Sequence, residues 1–459
     1  MKNRFSFFIP LLFGISFPVL LMGQRKPEQK KLIEFGWDYP TVSYLKAHIH
    51  DMQKAPFDGV VFSFDFDIYN SFDTTQHKDS QFQYDDLSKI DWKNFTDNFI
   101  LMRGVGYSGA QWLDDMAWLK IVINIKKVSK ALSVSQAVGI GFDPEYYLSD
   151  STLNPWVYRP SWYNNLSYKD VGDYVRKRGI QFIQALQTDK PDVKILCFWL
   201  LGLVDMQAKI LPIAETGMAL YPFFIEGMLE GKNKTSEIID GNESSYWYQK
   251  PEDFIMAGEH LRENGSQLIT NSLQPEFKNI SLAQSVYFDG LYARLPRFDK
   301  GFNKETKERW LTCNLYNAYK TTDEYVWFYS EDINWWKNKV DSGVAKLVIE
   351  VKNKIKAEKS NSGIRVKGKN IGLDFKRKEQ DADEEFYYTY TKTSNSLLVK
   401  FFSGHIKNLK VFSNSRLIYN VDNPPGELTI NLTKRYDKKG NLIILATDDK
   451  QKASVAYVN

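Results

Sequence analysis

Two carboxylates separated by a single proline end an apolar stretch in the segment GIGFDPEYY. They are Asp143 and Glu145. Acidic side chains at the rim of a partly dry cavity have separated pKa values, because burial and neighbouring charges shift each group differently. One carboxyl group then keeps its proton while another is ionised, which is the requirement for general acid–base catalysis. Asp143 and Glu145 are therefore the first candidates for catalytic residues.

A further acidic motif lies 98 residues beyond Glu145, in the segment DGNESSYWY, where Glu243 follows Asn242. We expect Glu145 and Glu243 to form the catalytic pair, with Glu145 preferred as the acid and Glu243 as the nucleophile or base. Asp143 is expected to orient its neighbour or to bind a hydroxyl group. The structural alternatives are a buried ion pair or an ordinary loop acid for Glu145, and a cap for the helix near Lys250 for Glu243.

These motifs lie on a regular alternation of apolar β-type runs and amphipathic helical segments. Near-continuous apolar runs are typical of parallel strands that are covered by helices. Eight strand–helix units favour a closed (β/α)8 TIM barrel over an open doubly wound sheet. The predicted strands lie at 32–40, 57–65, 98–104, within AVGIGFDPEYY, and at 193–205, 236–248, 284–296 and 324–336.

Most of the predicted strands end in a carboxylate beside an aromatic residue. In a TIM barrel the carboxyl ends of the strands carry the functional residues, so these side chains are expected to surround one cleft. Indole and phenol rings stack on the apolar faces of sugars, while carboxylates, amides and guanidinium groups bind hydroxyl groups. The candidate substrate-binding residues are Trp37, Asp38, Tyr147, Trp199, Asp205, Asp240, Asn242, Tyr246, Arg294, Trp327, Glu331 and Trp335.

The pattern changes after residue 359, where short β-type runs separated by Asn, Gly and Asp replace the helical periodicity. This predicts an all-β sandwich over residues 360–459, following a barrel over residues 32–359. The sandwich either binds sugar or only braces the barrel. Residues 1–23 have a basic head and an apolar stretch typical of a signal peptide, and 24–31 form a polar linker. We therefore expect a secreted or periplasmic protein with no integral membrane segment after cleavage.

Composition narrows the function classes further. The net charge is +4, and two of the positive charges, Lys2 and Arg4, lie in the leader. The sequence has no basic patch interleaved with aromatic residues, so we expect no nucleic-acid partner. Five histidines without a close acidic cluster argue against a catalytic zinc ion, and we expect no metal or cofactor. No GxSxG motif supports a serine hydrolase. The two cysteines, Cys197 and Cys313, are expected to be buried thiols.

The order of strands, together with FDPE, DGNESSYWY and the closing YVWFYSEDINWW, resembles a secreted TIM-barrel glycoside hydrolase. In one group of barrel glycosidases the fourth and sixth strands carry the catalytic carboxylates, which implies Asp143 or Glu145 with Asp240 or Glu243. In the chitinase-like group a D-x-E ends the fourth strand, but AVGIGF lacks the earlier aspartates of that motif.

The resemblance implies hydrolysis of a glycosidic bond in a polysaccharide or oligosaccharide by a pair of carboxyl groups. Two other functions stay open: a glycan-binding protein that keeps the barrel without catalysis, and a transglycosylase. Release of reducing ends distinguishes a hydrolase from a binding protein. The sequence does not indicate the sugar, the linkage or the oligomeric state.

Overall fold

A computed structural model shows the fold of the chain. The residues that it describes are 30–66, 71–105, 112–147, 154–292, 303–337, 340–357, 365–367, 387–393, 395–403, 406–432, 436, 440–449 and 453–458. The predicted signal peptide and all but the last two residues of the linker lie outside these ranges. None of the helices within these ranges is long and apolar enough to cross a membrane.

Nine parallel strands form the central sheet, in the order β7-β6-β5-β4-β3-β2-β1-β9-β8. Their bounds are β1 Lys31–Gly36, β2 Gly59–Phe62, β3 Phe99–Arg103, β4 Gly139–Asp143, β5 Lys194–Cys197, β6 Glu237–Asp240, β7 Ser281–Leu282, β8 Gln284–Tyr287 and β9 Tyr325–Ser330. The two strands at the ends of this order are consecutive in the chain and are separated only by Ala283. The sheet is therefore a closed circle whose seventh strand is broken into two pieces.

The broken strand joins its two neighbours in different ways. β7 pairs with β6, through Leu282 opposite Asp240, whereas β8 pairs with β9, through Tyr287 opposite Tyr329. The N–H group of Ala283 donates to the carbonyl oxygen of Asp240 over 2.7 Å, so the junction residue stays bonded to the sheet. The closed sheet and the helices that alternate with its strands form a (β/α)8 TIM barrel, as predicted.

Helices cover the outer face of the barrel. Their bounds are α1 Val42–Met52, α2 Tyr84–Leu87, α3 Asp115–Ser135, α4 Tyr168–Leu186, α5 Gly202–Ala208, α6 Tyr221–Gly231, α7 Pro251–Gln267, α8 Gln274–Phe277, α9 Asp289–Tyr292, α10 Lys304–Thr321 and α11 Ser342–Ala357. Side-chain oxygens at Thr41, Asp114 and Ser167 cap the first turns of α1, α3 and α4, because the first helical N–H groups have no partner within the helix.

Both faces of the strands are apolar because each faces a separate core. Side chains such as Ile33, Val61 and Trp327 fill the interior of the barrel. Alternate positions, such as Leu32 and Val60, pack against the helices in a larger outer core. This arrangement accounts for the continuous apolar runs in the sequence.

The predicted bounds of the fifth strand, 193–205, are wrong. The strand ends at Cys197, and α5 begins at Gly202 within the same apolar run. Strand and helix are both apolar here, since the side chain of Val204 is buried against the outer core. Hydrophobicity alone therefore cannot separate the two elements.

Two antiparallel sheets form the C-terminal β-sandwich, as predicted. One has the order β10-β11-β12-β15 and the other β14-β13-β16-β17. The bounds are β10 Arg365–Lys367, β11 Tyr387–Lys392, β12 Ser396–Ser403, β13 Ile406–Ser413, β14 Arg416–Asp422, β15 Glu427–Asn431, β16 Leu442–Asp448 and β17 Ala453–Val458. Side chains from both sheets share one core, including Tyr390, Val399, Leu409 and Ile444.

The second of these sheets also packs against the barrel helices. Ile255 of α7 belongs to a small apolar cluster with Phe412 and Val455. The guanidinium group of Arg262 on α7 donates to the backbone oxygen of Ser415 and forms an ion pair with Asp323 at 3.0 Å. Helix α7 follows the loop that carries Glu243, so the sandwich supports a helix attached to a predicted site loop.

Candidate active site

The end of β4 separates the roles of its two carboxylates. Asp143 is buried, and its carboxylate accepts hydrogen bonds from the N–H group of Glu145 and the hydroxyl group of Tyr147, both at 3.0 Å. Arg103, at the end of β3, places its Nε atom 3.9 Å from the same carboxylate. Glu145 is exposed. Asp143 therefore holds the segment in place, and Glu145 presents its carboxyl group to the space above the barrel.

The turn after β6 positions Glu243. Asn242 adopts a left-handed conformation, with φ 48°, and its N–H group donates to the carboxylate of Asp240 over 2.9 Å. Gly241 passes so close to the end of β5 that an added Cβ atom would lie 2.6 Å from the backbone oxygens of Cys197 and Phe198. The N–H group of Glu243 then donates to the backbone oxygen of Phe198 over 3.1 Å. Each contact restricts the backbone that carries the Glu243 side chain.

Two cavities meet at these glutamates. The central cavity, of about 310 Å³, lies over the interior of the barrel, and the side cavity, of about 250 Å³, lies beside α5 and α7. Glu145, Glu243 and Trp247 line both of them. The two glutamates, which are 98 residues apart in the sequence, therefore converge at the border between two adjoining spaces.

Aromatic rings form the floor and walls of the central cavity. The rings of Tyr246 and Tyr329 stack with their centroids 5.3 Å apart, and the indole nitrogen of Trp327 donates to the backbone oxygen of Gly241 over 2.7 Å. Across the cavity, Trp37 meets Tyr147 edge to face at 5.7 Å. Flat apolar rings beside several carboxylates are suited to a ligand with both apolar faces and hydroxyl groups.

The guanidinium group of Arg103 lies 4.9 Å from the ring centroid of Trp37 and 5.3 Å from that of Tyr147. It joins these two rings to Asp143 in one cluster. Glu331 lines the cavity from the end of β9, where its N–H group donates to the carboxylate of Asp289. The walls are thus fixed by contacts between the ends of different strands.

Burial and crowded negative charge raise the pKa values of this site. Burial raises the pKa of Glu243 most, and the charges of Glu145, Asp143 and Glu331 add to it, bringing the value to about 8. Burial also raises the pKa of Asp143 to about 6, although the Glu145 N–H group and Arg103 oppose the shift. Glu243 therefore holds a proton at neutral pH.

The structure brings most of the predicted binding residues to these cavities. The central cavity is lined by Trp37, Tyr147, Tyr246, Trp327 and Glu331 as well as Asp143, Glu145 and Glu243. The side cavity is lined by Trp199, Asp240 and Asn242. Burial raises the pKa of Asp240 to about 6.

Three predicted binding residues lie elsewhere, and Arg294 is outside the described residues. Trp335 is buried in the outer core against Phe57 and Phe328, so its indole ring is not a cleft wall. Asp38 accepts a hydrogen bond from the N–H group of Trp335 over 2.7 Å and joins two loops. Asp205 lies in α5, where it forms an ion pair with Lys209 at 2.7 Å.

Several residues that line or border the cavities were not among the predicted ones. Tyr329 lies between Trp327 and Glu331 at a spacing of two residues, so strand periodicity placed it on the same face. Arg103 ends β3, a position that a TIM barrel turns toward the cleft. Leu203 and Met206 line the side cavity from α5, which the sequence analysis had merged with a strand.

Among the residues described, no group of three histidine, cysteine, aspartate or glutamate side chains could hold a metal ion. Both cysteines are buried thiols outside any disulfide, as expected.

Comparison with known proteins gives neither a family nor a close relative. No family model matches the chain, and no curated protein matches it. Several solved structures that resemble it are glycoside hydrolases. A glucosidase from Croceicoccus marinus is 9% identical, with a TM-score of 0.39, covering 88% of this chain and 92% of that one.

Two further structures show a similar degree of likeness. An endo-beta-1,4-mannanase double mutant from Cellulomonas fimi is 8% identical, with a TM-score of 0.35, covering 94% of this chain and 93% of that one. A broad-specificity endoglucanase of the GH5-4 group from an uncultured bacterium is 9% identical, with a TM-score of 0.39, covering 69% and 86%. At TM-scores below 0.5, these similarities do not indicate an activity for this chain.

Proposed function

We propose that the protein is a glycoside hydrolase whose two catalytic groups are Glu145 and Glu243. The observation that carries this proposal is their shared position, since both glutamates line both cavities. A glycosidic bond that spans the border between the cavities would have a carboxyl group available for the leaving oxygen and another for the anomeric carbon or its attacking water.

In this proposal Glu243 is the proton donor. Its pKa, raised to about 8 by burial and by three neighbouring carboxylates, keeps it protonated at neutral pH, as a general acid must be. Glu145, which is exposed to the cleft, acts as the base or nucleophile. This assignment reverses the preference drawn from the sequence, which had no information on burial.

Asp143 has a positioning role here. It accepts hydrogen bonds from the Glu145 N–H group and from the Tyr147 hydroxyl group, and it lies beside Arg103. These contacts fix the backbone that carries Glu145, which limits the loss of conformational entropy when a substrate binds. The central cavity, with its aromatic walls and carboxylates, is the proposed binding site for the sugar.

The test is release of reducing ends from a panel of polysaccharides, oligosaccharides and aryl glycosides. On substrates whose leaving group needs a proton, Glu145→Gln and Glu243→Gln should each lower kcat/KM by about a thousandfold or more. Glu350→Gln, on the outer helix α11, is the matched control and should keep wild-type turnover. Wild-type turnover in both cleft variants would reject the catalytic pair.

The leaving group can separate the two roles. A dinitrophenolate departs without protonation, so Glu243→Gln should keep much of its activity on dinitrophenyl glycosides and lose it on alkyl glycosides. Glu145→Gln should lose activity on both substrates. The opposite pattern would restore Glu145 as the acid, and sugar binding without any hydrolysis would favour a glycan-binding protein.

A further inference from the structure

The side cavity differs in chemistry from the central cavity. Its walls are mainly the indole rings of Trp199 and Trp247 and the aliphatic side chains of Leu203, Met206 and Leu261. The central cavity is instead lined by four carboxylates and several tyrosines. One cleft therefore joins a polar, hydroxyl-binding space to a mainly apolar one.

The polar residues around the side cavity are largely engaged with each other. Asp240 and Asn242 are both more than nine-tenths buried. Asp240 accepts the N–H group of Asn242 over 2.9 Å, and the side-chain amide of Asn242 donates to Gln284 over 2.8 Å. These hydrogen bonds are made to other protein groups, so a ligand would meet mainly carbon atoms apart from the two shared glutamates and the exposed Ser244 hydroxyl group.

Three of the apolar side chains that line the side cavity are exposed. Met206 on α5 and Trp247 after β6 are 58% and 52% exposed, and Leu203 is 37% exposed. Ile210 and Leu211, just after α5 in the chain, are exposed as well. Single exposed apolar residues are normal, but several of them lining one cavity indicate a surface that contacts an apolar ligand.

We propose that the side cavity binds an apolar leaving group, so that the substrate is a glycoside of an alkyl or lipid-like alcohol. This rests on the proposed function. The shared glutamates place the scissile bond at the border, so the group in the side cavity must be the one attached through the glycosidic oxygen. Leucine and methionine side chains adapt readily to a flexible chain.

The reaction balances as a hydrolysis. Glu243 gives its proton to the glycosidic oxygen as the bond from that oxygen to the anomeric carbon breaks. In direct attack, water supplies a hydroxyl group to the anomeric carbon and its remaining proton passes to Glu145. If Glu145 instead first forms a glycosyl-enzyme ester, water displaces it as a carboxylate, and the remaining proton of that water passes to Glu243, which gave up its own proton in the first step. The products are a sugar in the central cavity and an apolar alcohol in the side cavity.

The experiment compares matched methyl and octyl glycosides of the same sugars, in both anomeric forms and below the micellar concentration of the octyl compounds. We expect kcat/KM to be about tenfold or more higher for the octyl member of the hydrolysed pair, because its chain is removed from water in the side cavity. Equal values, or a preference for a sugar as leaving group, would overturn the proposal.

Variants at the cavity wall sharpen the test. Leu203→Ser with Met206→Ser should remove most of the octyl preference, measured as the ratio of kcat/KM for the octyl glycoside to kcat/KM for the methyl glycoside. Both side chains are exposed, so the protein should still fold. Met116→Ser with Leu119→Ser, at exposed positions of α3, is the matched control. An octyl preference that persists in the cavity variant would contradict the assignment.

Binding measurements distinguish failure of this inference from failure of the proposed function. If no glycoside is hydrolysed, the proposed catalytic function is rejected. Tryptophan fluorescence titration with the same methyl and octyl glycosides still tests the cavity, because Trp199 and Trp247 line it. Tighter binding of the octyl compound that is lost in the Leu203 and Met206 variant supports an apolar site, and binding independent of chain length overturns it.

Discussion

Acidic residues at the two ends of the barrel have opposite electrostatic surroundings. At the amino end the carboxylates have cations beside them: Lys31 lies 3.3 Å from Asp97, Lys352 lies 2.8 Å from Asp58, and Lys194 forms an ion pair with Glu324. At the carboxyl end Asp143, Glu145, Glu243 and Glu331 share one cavity, and burial together with the charges of the other three raises the pKa of Glu243 to about 8.

Under the proposed function, this contrast separates acids that stabilise the fold from acids that take part in catalysis. An ion pair satisfies each charge, whereas a group of crowded carboxylates destabilises the folded state and is retained where a reaction needs a shifted pKa. Substitutions of charged residues at each end test this distinction.

The largest effect is expected on activity. Glu243→Gln should lower kcat/KM by about a thousandfold, or about 4 kcal/mol of transition-state stabilisation. Glu237→Gln, at the start of β6 and beside Lys194 at 3.8 Å, should stay within about twofold of the wild type. Steady-state kinetics on the best substrate measures both. Similar losses at the two ends would remove the functional distinction.

The next effect is on stability at the amino end. Arg262→Ala leaves the carboxylate of Asp323 without its guanidinium partner and removes two contacts to the sandwich, so the free energy of unfolding should fall by about 3 kcal/mol. Lys169→Ala breaks an exposed ion pair with Asp173 and should leave unfolding unchanged. Denaturant titration gives both values, and equal effects would contradict the role of Arg262.

A smaller gain in stability is expected at the carboxyl end. The folded protein binds the Glu243 proton more tightly than the unfolded chain, so stability falls as pH rises from the ordinary glutamate range through about 8. Glu243→Gln removes this loss. Its free energy of unfolding should exceed that of the wild type by about 1–3 kcal/mol at pH 9 and match it at pH 4. No difference at either pH would show that Glu243 is not perturbed.

The smallest effect concerns the pH profile. Glu331→Gln removes one of the negative charges that raise the pKa of Glu243, so that pKa should fall. The alkaline limb of kcat/KM should move to lower pH by roughly half a unit. Glu215→Gln, at an exposed position, should leave the limb in place. Movement of the limb to higher pH would contradict the assignment of Glu243 as the acid.

Much of the barrel was predictable because its strands alternate with amphipathic helices. The strand at 98–104, for example, is observed at Phe99–Arg103, since a buried parallel strand needs apolar side chains on both faces. The break at Ala283 was not predictable, because pairing with two different neighbours leaves no mark on local composition. The boundary between β5 and α5 was not predicted for a related reason, because both elements are apolar.

The cavity residues were predictable to the extent that strand ends converge in a TIM barrel. Glu145 and Glu243 were found in this way, although the distribution of protons between them depends on burial that only the folded chain has. Trp335 was misplaced because a tryptophan near a strand end can face either the cleft or the outer core. The apolar side cavity was not foreseen because α5 had not been separated from its strand.

The seam between α7, α10 and the sandwich bears on how the protein forms during synthesis. The hydroxyl group of Tyr457 in β17 donates a hydrogen bond to the side-chain oxygen of Asn317 on α10 over 2.7 Å. The hydroxyl oxygen of Ser415 accepts a hydrogen bond from the guanidinium group of Arg262. During synthesis the barrel therefore emerges from the ribosome before the sandwich strands that cover part of its outer surface. The contacts between them form only after β17 has emerged. Chaperones that bind exposed apolar helices would have this interval in which to act.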